Sequence, residues 1–160
     1  MNFKLMKKIS VLSLFAGFVI GFITLIPYIN LLSFLFLTFL IAPIIIIYLK
    51  MNNMLGIVDT KEGAIIGAII GASSFTGFFI LFAPLSALIG LLYKNGVYVV
   101  MKWFFSSGGG IMVLVLAFLM VGSLIALFNA FSGTFSAYLY QEQQKLHKEQ
   151  NQNFQIENKG

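Results

Sequence analysis

Cysteine is absent from this 160-residue chain, and so is arginine. The first absence excludes disulfides, thiolate nucleophiles and cysteine-ligated metals. The second leaves lysine alone to supply a formal charge of +5, and the lysines lie at the ends and between apolar runs, not in the arginine-bearing patches expected of a nucleic-acid binder. Charge of either sign is scarce: 9% of residues are charged, against about a quarter in soluble domains. With 59% hydrophobic residues and a mean hydropathy of +0.97, there is too little polar surface to cover a water-soluble core. The expected fold class is therefore all-α, a polytopic membrane protein built as a bundle of four transmembrane helices.

Four apolar segments follow from the positions of lysines, prolines and polar clusters: about 9–28, 31–49, 64–93 and 111–140. Each approaches or exceeds the ~20 residues that a bilayer core requires. Lys4, Lys7 and Lys8 ahead of the first run resemble the start of a signal peptide, but the run exceeds an h-region and no small-x-small cleavage site follows, so it is read as a retained helix. Residues 1–140 are taken as one transmembrane domain and 141–160 as a polar cytoplasmic tail. In that tail the first two turns extend the fourth helix, with Lys145 and Glu149 spaced four apart, and the remainder is expected to be disordered.

The links carry their own signals. Pro27 and Asn30 predict a tight antiparallel hairpin between the first two spans. Asp59, with Glu62 three residues on, predicts a capped start to the third helix, and both acids are assigned to capping in preference to catalysis. Between the third and fourth spans, Val97–Phe105 with Tyr98, Lys102 and Trp103 reads as a short interfacial segment, and Ser106-Ser107-Gly-Gly-Gly as a flexible turn. A pore-lining re-entrant loop is the sharper alternative, but the segment offers little polarity for lining one. Lys4, Lys7, Lys8, Lys50, Lys61, Lys145, Lys148 and Lys159 fall on one side and Lys94 and Lys102 on the other, which orients both termini to the cytoplasm.

Small residues mark the faces where helices can touch, since lipid tails compete equally well for large apolar side chains. The third span opens on a tandem repeat, Gly63-Ala-Ile-Ile-Gly67-Ala-Ile-Ile-Gly71, that continues through Ser74 to Gly77. The first carries Ser10, Ser13, Gly17, Gly21 and Thr24, and the fourth Gly122, Ala126, Asn129, Gly133 and Ser136. Steps of three or four put each stripe on one helical face. Packing inside one bundle and a homo-oligomer seam remain two readings of these glycine-zipper faces. The second span has bulky side chains and a kinking Pro43, and is expected to be the helix most exposed to lipid.

The search for chemistry is mostly negative. No Asp, Glu, Lys or His lies inside a span, and such residues usually mark transport pathways and catalysis in membranes. The single histidine, His147, lies in the tail, away from any serine it would activate, and is no metal site alone. There is no P-loop and no dinucleotide fingerprint. The expectation is a protein that is not an enzyme and takes no cofactor or metal. Its partners would be the lipid bilayer and a second copy or another membrane protein, not nucleic acid. The polar groups within the spans are Ser73, Ser74, Thr76 and Asn129. They serve either interhelical and backbone hydrogen bonding or a small polar patch in a cavity shared by the third and fourth helices.

The link Pro27-Tyr28-Ile29-Asn30-Leu31-Leu32, followed by Glu62-Gly63-Ala64-Ile65-Ile66-Gly67-Ala68, resembles a pattern in uncharacterised small four-helix membrane proteins of bacteria and archaea. The resemblance covers roughly the first half and implies a fold without implying an activity or any site residue. Abundant Ile, Asn and Lys without Arg fits an AT-rich prokaryotic genome. The functional expectation is an inner-membrane scaffold or accessory subunit. An oligomeric channel, holin-like pore or minor transporter subunit is the alternative.

Overall fold

A computed structural model describes residues 3–26, 28–56, 58–92 and 97–157, with the backbone alone at 92, 98 and 147–157. The expectations placed on Pro27, Tyr93, Lys94 and Lys159, and on the side chains of Tyr98, His147, Lys148 and Glu149, lie outside the described residues. The helices are α1 (Phe3–Ile23), α2 (Asn30–Leu35), a π-helical turn (Phe36–Leu40), α3 (Ile41–Met51), α4 (Thr60–Leu92), α5 (Val97–Ser106) and α6 (Gly108–Glu157). Four helical stretches are long and apolar enough to cross a membrane: Phe3–Ile23, Asn30–Met51, Thr60–Leu91 and Gly108–Leu146.

α4 is the hub, contacting α1, α5, α6 and the second span. Gly17 and Gly21 of α1 lie against the backbone at Ser74 and Phe78, while Gly77 lies against Leu14, so α1 runs parallel to α4. On the other flank Gly63 meets Gly133 and Ala137, Gly67 meets Asn129 and Ala130, and Gly71 meets Ala126 and Asn129, so α6 runs antiparallel. Gly122 leaves room for the Phe75 ring. The stripe on α4 therefore divides, its first three glycines facing α6 and Ser74 and Gly77 facing α1. Seams this close let backbone dipoles and Cα–H groups of neighbouring helices interact where side chains would hold them apart.

The second span departs from expectation. It meets α1 chiefly at α2 and then packs on α4 and α6, so the first two spans join at their link without forming a closely packed hairpin. Nor is it the most exposed helix: 39% of its most apolar 18-residue window is buried, against 11% for α6. Leu37, Ile41, Ala42, Ile45, Ile46 and Leu49 all enter the core. Lack of glycine prevents close backbone approach; it does not prevent large side chains from interlocking. In the link the left-handed residue is Tyr28, at φ 72°, and Asn30 instead opens α2, its Oδ1 accepting from the Leu31 N–H at 2.7 Å.

Two further corrections concern α6. The three glycines after Ser107 form its first turn, not a flexible connection. Ser107 Oγ accepts from the Gly110 N–H at 3.0 Å, and the Ser107 carbonyl accepts from the Ile111 N–H at 3.2 Å, which caps the helix start where glycine costs least. A β-carbon at Gly110 would also press to 2.6 Å from the Phe104 carbonyl oxygen. At the other end the tail is helical to Glu157. Residues Gln141–Glu157 include neither Gly nor Pro, and Lys145 bonds Glu142 at 3.2 Å, one turn back.

The second loop closes as expected of Asp59. Its carbonyl accepts the first helical bond of α4 from the Gly63 N–H at 2.8 Å, and its carboxylate takes the Thr60 N–H at 2.7 Å. That differs from a capping box, in which the side chain would reach the third residue of the helix. Nearby, the Lys50 ammonium lies over the Tyr140 ring, and Gln141 Nε2 donates to the Val58 carbonyl at 3.1 Å, fixing this loop to α6.

Candidate functional site: a polar clasp and a phenylalanine-lined cavity

Pro43 has no N–H, so in a continuous helix the carbonyl of Phe39, four residues earlier, would lack a partner. The chain responds with the π turn: the Ile41 N–H bonds the Phe36 carbonyl five residues back, and the ladder opens over the next three carbonyls. Asn129, fully buried on α6, fills the gap. Its Oδ1 accepts from the Ala42 N–H at 3.2 Å, and the two hydrogens of its Nδ2 serve three carbonyls, one of them shared: Leu37 and Thr38, both at 3.1 Å, and Ile125 in its own helix at 2.9 Å. The side-chain amide thus stands in for a missing stretch of backbone ladder. Ser132, one turn on, donates from Oγ to the orphaned Phe39 carbonyl at 2.8 Å. Every group released by the break is satisfied from α6, which is what a buried break requires.

The other polar residues within the spans are not brought together with Asn129. Ser74 is fully buried at the α1 seam, with its hydroxyl donating to the Ile70 carbonyl at 2.7 Å. Thr76 donates to Ala72 at 2.8 Å and lines a shallow groove with Ser123 between α4 and α6, and Ser73 lies half-buried beside Ser74. Hydroxyls bonded to the preceding turn of their own helix have little donor capacity left for a solute.

A cavity of about 360 Å³ lies where α2, α4, α5 and α6 converge near the first link. Phe75, Phe78, Phe79 and Phe82 project from one side of α4, spaced at helical intervals, and Phe104 of α5 and Phe118 of α6 complete the wall. The rings interlock, with Phe79 and Phe118 centroids 4.8 Å apart and Phe78 and Phe82 5.0 Å apart. Thr24 and Asn30 supply its polar edge, although Thr24 already donates to Ile20 at 2.7 Å. Such a space suits an apolar guest and offers no acid, base or nucleophile. Among the described residues no group of His, Asp and Glu is placed to hold a metal. The phenylalanine spacing marks a helical face in the sequence, but the hollow depends on where α5 docks, and Ser132 gives no local sign of its distant acceptor. No family model matches the chain, nor does any curated protein or solved structure.

Proposed function

We propose that the chain is a non-catalytic, multi-pass protein of the inner membrane that serves as a scaffold or accessory subunit. α6 supports this reading. It is the least buried of the four long helices, and its outer face exposes Met112, Leu116, Met120, Leu127, Phe131 and Phe135 in steps of four or seven. Its inner face is held by α4 and the clasp, so the outer face is a long, rigid edge against which a second copy or another membrane polypeptide can pack. Beyond the apolar part the helix continues as a polar rod, extending that edge out of the bilayer. Neither role calls for a cofactor or metal.

Because the chain lacks cysteine, single cysteines report neighbours without background. Met120→Cys or Phe131→Cys on α6 is expected to form polypeptide adducts in native membranes under a bifunctional thiol reagent, and Phe22→Cys on the outer face of α1 is not. Equal yields from both helices, or none from α6, would remove the support. Purified protein in liposomes is expected to leave a trapped dye inside; release rising with protein concentration would establish the pore reading instead.

Lys4, Lys7, Lys8, Lys50, Lys61 and Lys145 cluster at one end of the bundle and Lys102 lies near the other, which supports a cytoplasmic first end. A reporter active only outside the cytoplasm should be silent when fused after Gly160 and active when inserted after Ser107. The reverse pattern would invert the orientation.

A further inference from the structure

We infer that the groove between α1 and the α3 end of the second span is a binding site for one anionic phospholipid, with its phosphate at Lys4, Lys7 and Lys8 and an acyl chain along Val11, Phe15 and Tyr48. The groove, about 680 Å³, exists because the first two spans diverge from their link and α1 follows α4 while α3 leans toward α6. Its lysines occur at i, i+3 and i+4, so they share one edge of α1, and among the described residues no acidic side chain lines the space with them. Lys7 and Lys8 in the first two turns add to the positive N-terminal end of the helix dipole, so a bound anion is favoured there. Below the lysines the lining turns apolar: Val11 and Phe15 are 61% and 66% exposed, and Tyr48 faces them from α3. A cationic mouth above an apolar trough matches a headgroup joined to a chain. It does not match a free anion, which would leave the trough empty, or a zwitterionic lipid, whose own ammonium would meet three others.

This inference stands apart from the accessory role, and its test reads lipid retention alone. In native mass spectrometry from detergent, the protein supplied with equal phosphatidylglycerol and phosphatidylcholine should retain one phosphatidylglycerol. Lys7→Gln/Lys8→Gln should cut that retention about thirtyfold, roughly fivefold for each lysine near an anionic surface, while Lys102→Gln/Lys145→Gln, the same change of charge elsewhere, should leave it intact. Val11→Trp keeps every lysine and fills the trough from an exposed position, and should lose the lipid as well. Equal retention of phosphatidylcholine, full retention by Val11→Trp, or equal losses from both lysine pairs would overturn the site. Glycerol 3-phosphate competing as well as the intact lipid would show a free-phosphate site and overturn it too.

Discussion

Gly67→Leu is expected to destroy the folded monomer. A β-carbon there would collide with the Asn129 carbonyl oxygen, lie 2.9 Å from the carbonyl carbon and 3.1 Å from Ala130 Cα, all backbone atoms of a neighbouring helix. Backbone cannot rotate aside as a long side chain can, so α4 and α6 must separate along the whole seam from Gly63 to Gly71. Overpacking a close contact costs about 3 kcal/mol or more when nothing nearby can yield, and moving α6 also strains the amide that closes the second span. Leu40→Val, at a half-exposed position of that span, should cost below 1 kcal/mol. Size-exclusion profiles after graded heating in detergent separate the outcomes. Loss of oligomers with an intact monomer would move the glycine seam between subunits, and a melt matching Leu40→Val would refute close packing altogether.

Asn129→Leu should be the next most damaging change, for a reason unrelated to volume. It leaves the Ala42 N–H and the carbonyls of Leu37 and Thr38 buried without partners. Single interhelical hydrogen bonds in membranes average only about 0.6 kcal/mol, because the separated helices find other partners. Here the acceptors and donor are backbone groups already detached from their own ladder, and unsatisfied buried groups cost roughly 1 to 3 kcal/mol each. A loss on the order of 3 kcal/mol is expected, read as the detergent denaturant midpoint. The diagnostic is Pro43→Ala in the same chain: restoring an N–H at 43 lets the second span close into a regular helix, so the double variant should recover more than 1 kcal/mol over Asn129→Leu alone. Strict additivity would mean that Asn129 and the proline break are unconnected.

These two residues illustrate what a sequence displays. Gly63, Gly67 and Gly71 are legible because a run of small residues at helical spacing is a local signal, and the requirement it meets, close approach, needs no knowledge of the neighbour. Asn129 and Pro43 are each visible as oddities, but their partnership spans 86 positions and turns on backbone groups that exist only once the π turn has formed. The second span is ambiguous in the sequence for a related reason: bulky Ile and Leu suit a lipid face and a core equally, and only the packing decides. Glycines 108–110 read as a flexible turn in the sequence, yet the first turn of a helix asks little of its residues when Ser107 supplies the cap. The lysines of α1 carry an orientation signal in the sequence, and the groove beside them arises from the divergence of two helices that no local pattern encodes.

The central position of α4 also constrains the order of assembly. A chain emerging from its N-terminus delivers α1 and the second span first, and these have almost no surface for each other beyond their link. On the proposed bilayer placement they insert as two separate rods, one of them carrying the stretch around residues 37–43 whose partners on α6, Asn129 and Ser132, have not yet been synthesised. The seam for α1 arrives with Ser74 and Gly77, and the groups that close the break arrive last of all. Until they arrive, the carbonyls of residues 37–39 lack the partners that the folded bundle gives them, and in an apolar medium each such group is costly.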